Sequence, residues 1–277
     1  MFLVSNESLV AEVSNAGGLG TIPAHNYRKI DELRGGIEKI KSLTSLPFGV
    51  NIILHKEHCP DWADRLQVLL EEKVPVIITS LGLPRTIVER IKASGAVLIS
   101  DVVSLKQALL LEKIGADIIV GVSHGAGGHA GPVSAFSLIP YLKDNLQVPV
   151  VAAGGITDGR QMAAAFALGA EGVYVGTRLI NSTESSASSG YKQMIVESTP
   201  DDIVFTDKIS GIGANWLRQS LEKGSALLEK NDHDFTSLKR WKDIWSAGTS
   251  VAQIENILPA KVIVQNIINQ FQEICAK

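Results

Sequence analysis

Short apolar runs and amphipathic stretches alternate along the first 180 residues of the chain. The runs that predict strands lie at residues 20–24, 48–53, 74–80, 96–102, 116–122, 149–154 and 172–177. Most are continuously apolar and not alternating, the pattern of a parallel sheet covered on both faces. Between them lie helix-like segments at 26–43, 61–73, 84–94, 104–115 and 158–169. Gly95, Gly115 and Gly169 stand just before the next strand, where helix C-caps place glycine. Repeated strand–helix–strand units imply right-handed crossovers and an α/β class.

Two closures compete, an open doubly wound sheet and a (β/α)8 barrel. Seven strands are one short of the barrel. An apolar helix at 8–16 precedes the first of them, and in a barrel that helix needs a strand before it. Only residues 1–4 are available. The barrel's first strand is therefore expected to be missing or truncated. Residues 1–4 could pair as a stub, or a later segment such as 202–206 could fill the gap. The favoured expectation is a strand encoded upstream of Met1.

After Arg178 the texture changes. Residues 181–190 hold five serines and one threonine and read as a loop or lid. From Tyr191 onward the pattern is mostly helical, with the best helices at 214–228 and 260–274. The expected division is a barrel over 1–180, with a lid loop and helical segment over 181–277 packed on it.

Composition narrows the function classes. The chain has 277 residues, 45% hydrophobic and 20% charged, enough for a sizeable core and unlike disordered, collagenous or coiled-coil sequences. A net charge of −3 gives no footprint for nucleic-acid phosphates. Two cysteines, Cys59 and Cys275, with no CxxC argue against a disulfide framework and fit a reducing, cytoplasmic location. No apolar run is long enough to cross a bilayer, so no membrane partner is expected. The first residues lack the basic and apolar regions of a secretory signal.

Three segments carry candidate chemistry. Gly125-Ala126-Gly127-Gly128-His129-Ala130-Gly131 follows the strand at 116–122. Its glycines let backbone approach a ligand, and it falls at a strand's C-terminal end, where α/β active sites are built. The competing reading is a mobile loop with a solvated His129. For His124, a structural role at the strand end is preferred. The second segment, Val151 to Gly159, carries Gly154-Gly155, and Gly176-Thr177-Arg178 ends the next strand. Two successive glycine-bearing strand ends beside a helix N-terminus form an anion cradle, though ordinary turn glycines would look alike. The third, Pro47-Phe48-Gly49-Val50-Asn51, places an Asn that can offer donor and acceptor to a ring edge. Ser14 to Gly20 reads as a glycine-capped helix end. Asp101 could face the same mouth, although a surface or capping carboxylate is the plainer reading. Trp62, Trp216, Trp241 and Trp245 suit packing. His55 and His58 stand three apart without an HExxH or cysteine partner, His25 and His233 are isolated, and no metal is expected. Neither a G-x-S-x-G elbow nor a Walker A sequence occurs.

Together these words resemble the FMN-dependent nitronate monooxygenase family, formerly 2-nitropropane dioxygenases, which also includes the enoyl-acyl carrier protein reductases II. The matching words are VSNAGGLG at 13–20, PFGVN at 47–51, AGGHAG at 126–131, AAGGI at 152–156 and GT at 176–177. GAGGHAGPVSAF, YKQMIV and SGIGANWL look like the subgroup labelled nitronate monooxygenase. The resemblance implies a TIM barrel with FMN as cofactor. It implies that Gly154, Gly155, Gly176 and Thr177 hold the phosphate. It places Asn51, Val122, Gly127, Tyr174 and Val175 in the cofactor site and makes His129 the active-site histidine. The implied reaction is oxidation of an alkyl nitronate or nitroalkane by dioxygen to a carbonyl compound and nitrite, with a homodimer as the expected assembly. The alternatives are an NAD(P)H- and FMN-dependent enoyl-acyl carrier protein reductase and a non-catalytic remnant of the fold. Two departures from the family bear on this. The strand ending in a Q-x-P-M-like turn is absent, and the usual E-A-G-G-H has Gly125 in place of its carboxylate.

Overall fold

In a computed structural model, residues 1–54, 59–80, 82, 84–228 and 242–276 are described. Seven strands form one parallel sheet in sequence order. They are β1 (Gly20–Pro23), β2 (Phe48–Ile53), β3 (Val76–Ser80), β4 (Val97–Val102), β5 (Ile118–Val122), β7 (Val150–Ala153) and β8 (Gly172–Tyr174). Each of the seven apolar runs became one of these strands, because every second residue of each packs under a helix. The helices are α1 (Glu7–Asn15), α2 (Ile30–Leu43), α3 (Trp62–Glu71), α4 (Arg85–Ala93), α5 (Leu105–Ile114), α6 (Ala135–Lys143) and α7 (Gly159–Ala167). Gly115 caps α5 with φ +111, the left-handed geometry that glycine takes without strain.

The main core lies between the sheet and these helices. Val50, Ile52, Ile77, Leu98, Ile119 and Val150 point outward into it and meet Leu33, Ile37, Leu66, Ile91 and Leu142. The alternate residues Val76, Ile78, Ile99, Val120 and Ala153 pack together on the inner face. A sheet that buries both faces, one under helices and one on itself, is a curled TIM-like α/β wall.

The curl leaves β1 and β8 as the sheet's two edges. Neither nearby candidate segment closes it. Residues 1–4 form a turn in which the Val4 and Ser5 N–H groups donate to the Met1 carbonyl. Residues 203–206 are indeed a strand, but they pair elsewhere. Across the opening, the Tyr174 hydroxyl lies 3.1 Å from Thr21 Oγ1.

A second, antiparallel, three-stranded sheet was not foreseen. It joins β6 (Gly128–His129), β9 (Ile203–Thr206) and β10 (Ala214–Leu217). The expected helix over 214–228 thus begins four residues late, as α10 (Arg218–Leu228). All four residues of β10 are buried, which a one-sided surface helix cannot achieve, so pairing on both edges overrides local propensity. The chain is completed by α8 (Thr177–Ile180), α9 (Ser189–Glu197) and α11 (Ala260–Cys275). The serine-rich segment is a packed loop. Asn181, Ser182 and Ser185 are buried, and Lys192 Nζ donates to the Ser182 and Ser185 carbonyls.

Candidate functional site

The C-terminal ends of β2, β3, β4 and β8 place a polar layer on the inner face of the wall. Strand alternation decides this. Val50, Ile52, Leu98 and Val102 face the helices, so Asn51 and Asp101 face inward. Asn51 Nδ2 donates to Ser80 Oγ at 2.7 Å, and Ser80 Oγ donates to Asp101 Oδ2 at 2.6 Å. The chain therefore runs amide to hydroxyl to carboxyl across three neighbouring strands. Burial pushes the Asp101 carboxyl up to about 6, against the opposing effect of the Ser80 bond. Tyr174 stands in the same inward row of β8, 37% exposed, and burial with the nearby Asp101 charge raises its phenol.

Above this layer three glycine-rich segments meet. Gly154 and Gly155, after β7, both have positive φ, +106 and +74. A side chain at Gly154 would collide with Ser123 Oγ and the Ala126 amide of the loop after β5. Gly155 has open space where a side chain would project, and Gly176 meets only Met1 there, at 3.8 Å. Ligand backbone contact is sterically possible at both strand ends. The Gly155 N–H itself donates to the Gly125 carbonyl at 3.1 Å, so that amide is already engaged.

Sequence reasoning missed the segment that seals this mouth. Ala247-Gly248-Thr249, far along the chain, threads between the loops. The Gly248 N–H donates to Thr177 Oγ1 at 2.9 Å, and the Thr249 N–H donates to the Gly125 carbonyl at 3.1 Å. A side chain on Gly248 would fall 2.5 Å from the Gly125 carbonyl oxygen, and one on Gly127 would fall 2.7 Å from the Gly248 nitrogen. These glycines are close-approach positions. An isolated Ala-Gly-Thr in a segment without periodicity carried no local signal.

His129 sits on β6, whose pairing with β10 fixes the loop. Ala214 is opposite His129, and the Ala130 N–H donates to the Gly213 carbonyl. Asn215 Nδ2 donates to both the His124 and Ala126 carbonyls, at 2.6 and 2.7 Å. His129 Nε2 lies 3.3 Å from Ser210 Oγ, and Ser210 Oγ donates to the Ile212 carbonyl at 3.0 Å. The loop is therefore held by a second sheet, and the imidazole is exposed on it.

The remaining candidates separate clearly. Val122 lines the inner face, whereas the Val175 side chain packs outward into the core. His124 packs against Phe205, with ring centroids 5.1 Å apart. Arg178 is buried and donates to Asn256 through two nitrogens. His25 has both ring nitrogens buried without partners, and burial beside Arg65 lowers it to about 4. Trp216 is fully buried and Trp245 stacks on Tyr191 at 5.0 Å. His55, His58, His233 and Trp241 lie outside the described residues. Among the described residues no cluster of metal-ligating side chains occurs, and no helix is long and apolar enough to cross a membrane.

Comparison with known proteins bears on the family and the fold. The family model for nitronate monooxygenase matches residues 1–65 and 56–270. A probable nitronate monooxygenase of Staphylococcus saprophyticus is 31% identical, over 96% of this chain and 91% of that protein. A dehydrogenase of a hydroxy-methyl-oxo-octahydroindene carboxyl-CoA from Mycobacterium tuberculosis is 35% identical, over 80% of this chain and 63% of that protein. The solved structure of FabK from Thermotoga maritima superposes with a TM-score of 0.88 at 35% identity, covering all of this chain and 92% of that one. With a family model spanning nearly its whole length and a relative matched almost end to end, the chain belongs to the nitronate monooxygenase family of oxidoreductases.

Proposed function

We propose that this protein is an FMN-dependent enzyme that oxidises alkyl nitronates with dioxygen to a carbonyl compound and nitrite. The observation that carries the reading is the joining of three things at one end of the wall: a polar inner layer, side-chain-free glycines at two strand ends, and His129 on the rim. The residues fit the cofactor. Gly155 and Gly176 leave room for a phosphate against backbone, at the strand ends where barrels of this kind hold one. Gly154 sets the turn and Thr177 the adjoining helix start, while Asn51, Val122, Gly127, Tyr174 and the Val175 backbone would adjoin the ring. When bound, FMN supplies the electron-accepting ring that the side chains lack.

The chain's own groups have distinct tasks. A nitronate is already deprotonated and needs no base. For a neutral nitroalkane, His129 would take the α-proton. Ser210 Oγ donates to the Ile212 carbonyl and lies 3.3 Å from His129 Nε2, which orients the ring on its loop. Asn215 and the β10 edge hold the loop so that the ring does not have to be ordered when substrate arrives.

A second reading, reduction of an enoyl thioester with NAD(P)H, is favoured by the 35% identity to FabK over the full chain. One purified sample decides between them. A yellow protein that consumes oxygen and releases nitrite from ethyl nitronate supports the first reading. A yellow protein that oxidises NADPH only with crotonyl thioester supports the second, and a colourless one that takes up no FMN refutes both.

A further inference from the structure

The inner polar layer contains an acid with no cation beside it among the described residues. Asp101 lies half-buried on the inward row of β4, one position above Ile99. From β3 it meets Ser80, which in turn holds Asn51 of β2. From β5 the inward residues are Val120 and Val122, both apolar. Across the wall, β8 contributes Tyr174, whose phenol feels the Asp101 charge. The covering helices α4 and α5 press on the opposite face through Ile87, Val88, Ile91, Ala108 and Leu111, so their charged groups lie beyond the sheet. Among the described residues, what acts on the carboxyl is burial, the Ser80 hydroxyl and its own backbone amide.

We propose that Asp101 sets the charge tolerance of the barrel mouth: as a carboxylate it disfavours an electron-rich, anionic ring seated over Asn51 and Ser80, and as the neutral acid it accepts one. This rests on the flavin reading above. With no lysine or arginine beside it among the described residues, the carboxylate stands as a negative charge in a low-dielectric wall, where like charges repel most. Burial places its titration at about 6, so the change from acceptance to repulsion occurs between mildly acidic and mildly basic solution. In mildly basic solution the reduced FMN ring is anionic, whereas the oxidised ring is neutral. The relative affinity for the two forms therefore reads the state of Asp101 directly.

The experiment uses the full chain reconstituted with FMN. The midpoint potential of bound FMN, compared with that of free FMN, gives the ratio of reduced to oxidised affinity at pH 5 and pH 8. The parent and D101N are compared, which cancels the ring's own ionisation. At pH 5 the two ratios should agree to about twofold. At pH 8 the D101N ratio should exceed the parent's by about tenfold, the scale of a one-unit charge interaction. Equal ratios at pH 8 with FMN bound to both proteins overturn the proposal and leave the flavin reading intact. If the parent takes up no FMN at either pH, the flavin reading falls and this proposal with it. Should D101N fail to fold, S80A carries the test. Loss of a bond that favours the carboxylate moves the pH of the transition upward, and an unmoved transition overturns the proposal.

Discussion

The roles proposed for His129 and Asp101 both turn on a proton, and they act in different ways. His129→Ala should slow turnover of neutral nitroethane by roughly 10²-fold, the usual scale for a general base, and slow ethyl nitronate much less. Oxygen uptake with each substrate checks this, and an equal loss on both would assign His129 to binding. Asp101 has a consequence for stability that needs no ligand. Its carboxyl titrates higher in the folded chain, at about 6, than its ordinary value of 3.8. A raised acid contributes stability that is complete below the unfolded value and is lost as pH rises through the folded one. Asp101→Asn should therefore leave the melting temperature unchanged near pH 4 and raise it at pH 8. A scan of Tm against pH for both proteins reads the difference, and a lower Tm for the variant at pH 8 would contradict it.

At the scale of elements, the packing of α7 on α11 depends on one missing side chain. A Cβ at Gly159 would run into the Gln270–Phe271 backbone of α11, and the Gly159 N–H donates to Gln270 Oε1 at 2.8 Å. Gly159→Val should cost about 1–3 kcal/mol, as overpacking does, and expose the C-terminal helix to protease before the sheet. Urea unfolding and limited proteolysis test both parts. Such long-range contacts are also what the sequence left unread. The parallel strands were legible because their apolar runs are local and continuous, as at 118–122 and 150–153. The words at 47–51, 126–131 and 152–156 were legible as glycine and polar signals at strand ends. The small antiparallel sheet was not, since Ile203–Thr206 and Gly128–His129 are too short to declare a strand alone, and Ala214–Leu217 reads as the start of its own helix. Ser80 was invisible for a different reason. A serine ending a strand is ordinary, and its value lies in touching Asn51 and Asp101 at once.

At the scale of the molecule, the wall has two edges and a side-chain bridge across them. Tyr174→Phe removes the contact with Thr21 Oγ1 and should cost about 0.5–1.5 kcal/mol, the net worth of an ordinary hydrogen bond. Denaturant titration of the variant measures it, and a loss above about 3 kcal/mol would mean that the phenol holds more than this contact. The edges also explain why the inner row near β8 is half exposed while the equivalent row of β3 is closed.

The seal at Gly248 gives the molecule an order of events. Its partner Thr177 precedes it by 71 positions. On a ribosome adding about 5–20 residues per second, some 4–14 s pass between emergence of the last parallel strand and arrival of the residue that closes over it. During that interval the wall can form while its mouth stands open. Closure of the mouth is thus a late act in the life of the nascent chain, completed only when the last quarter of the polypeptide returns to a residue near the middle of the third.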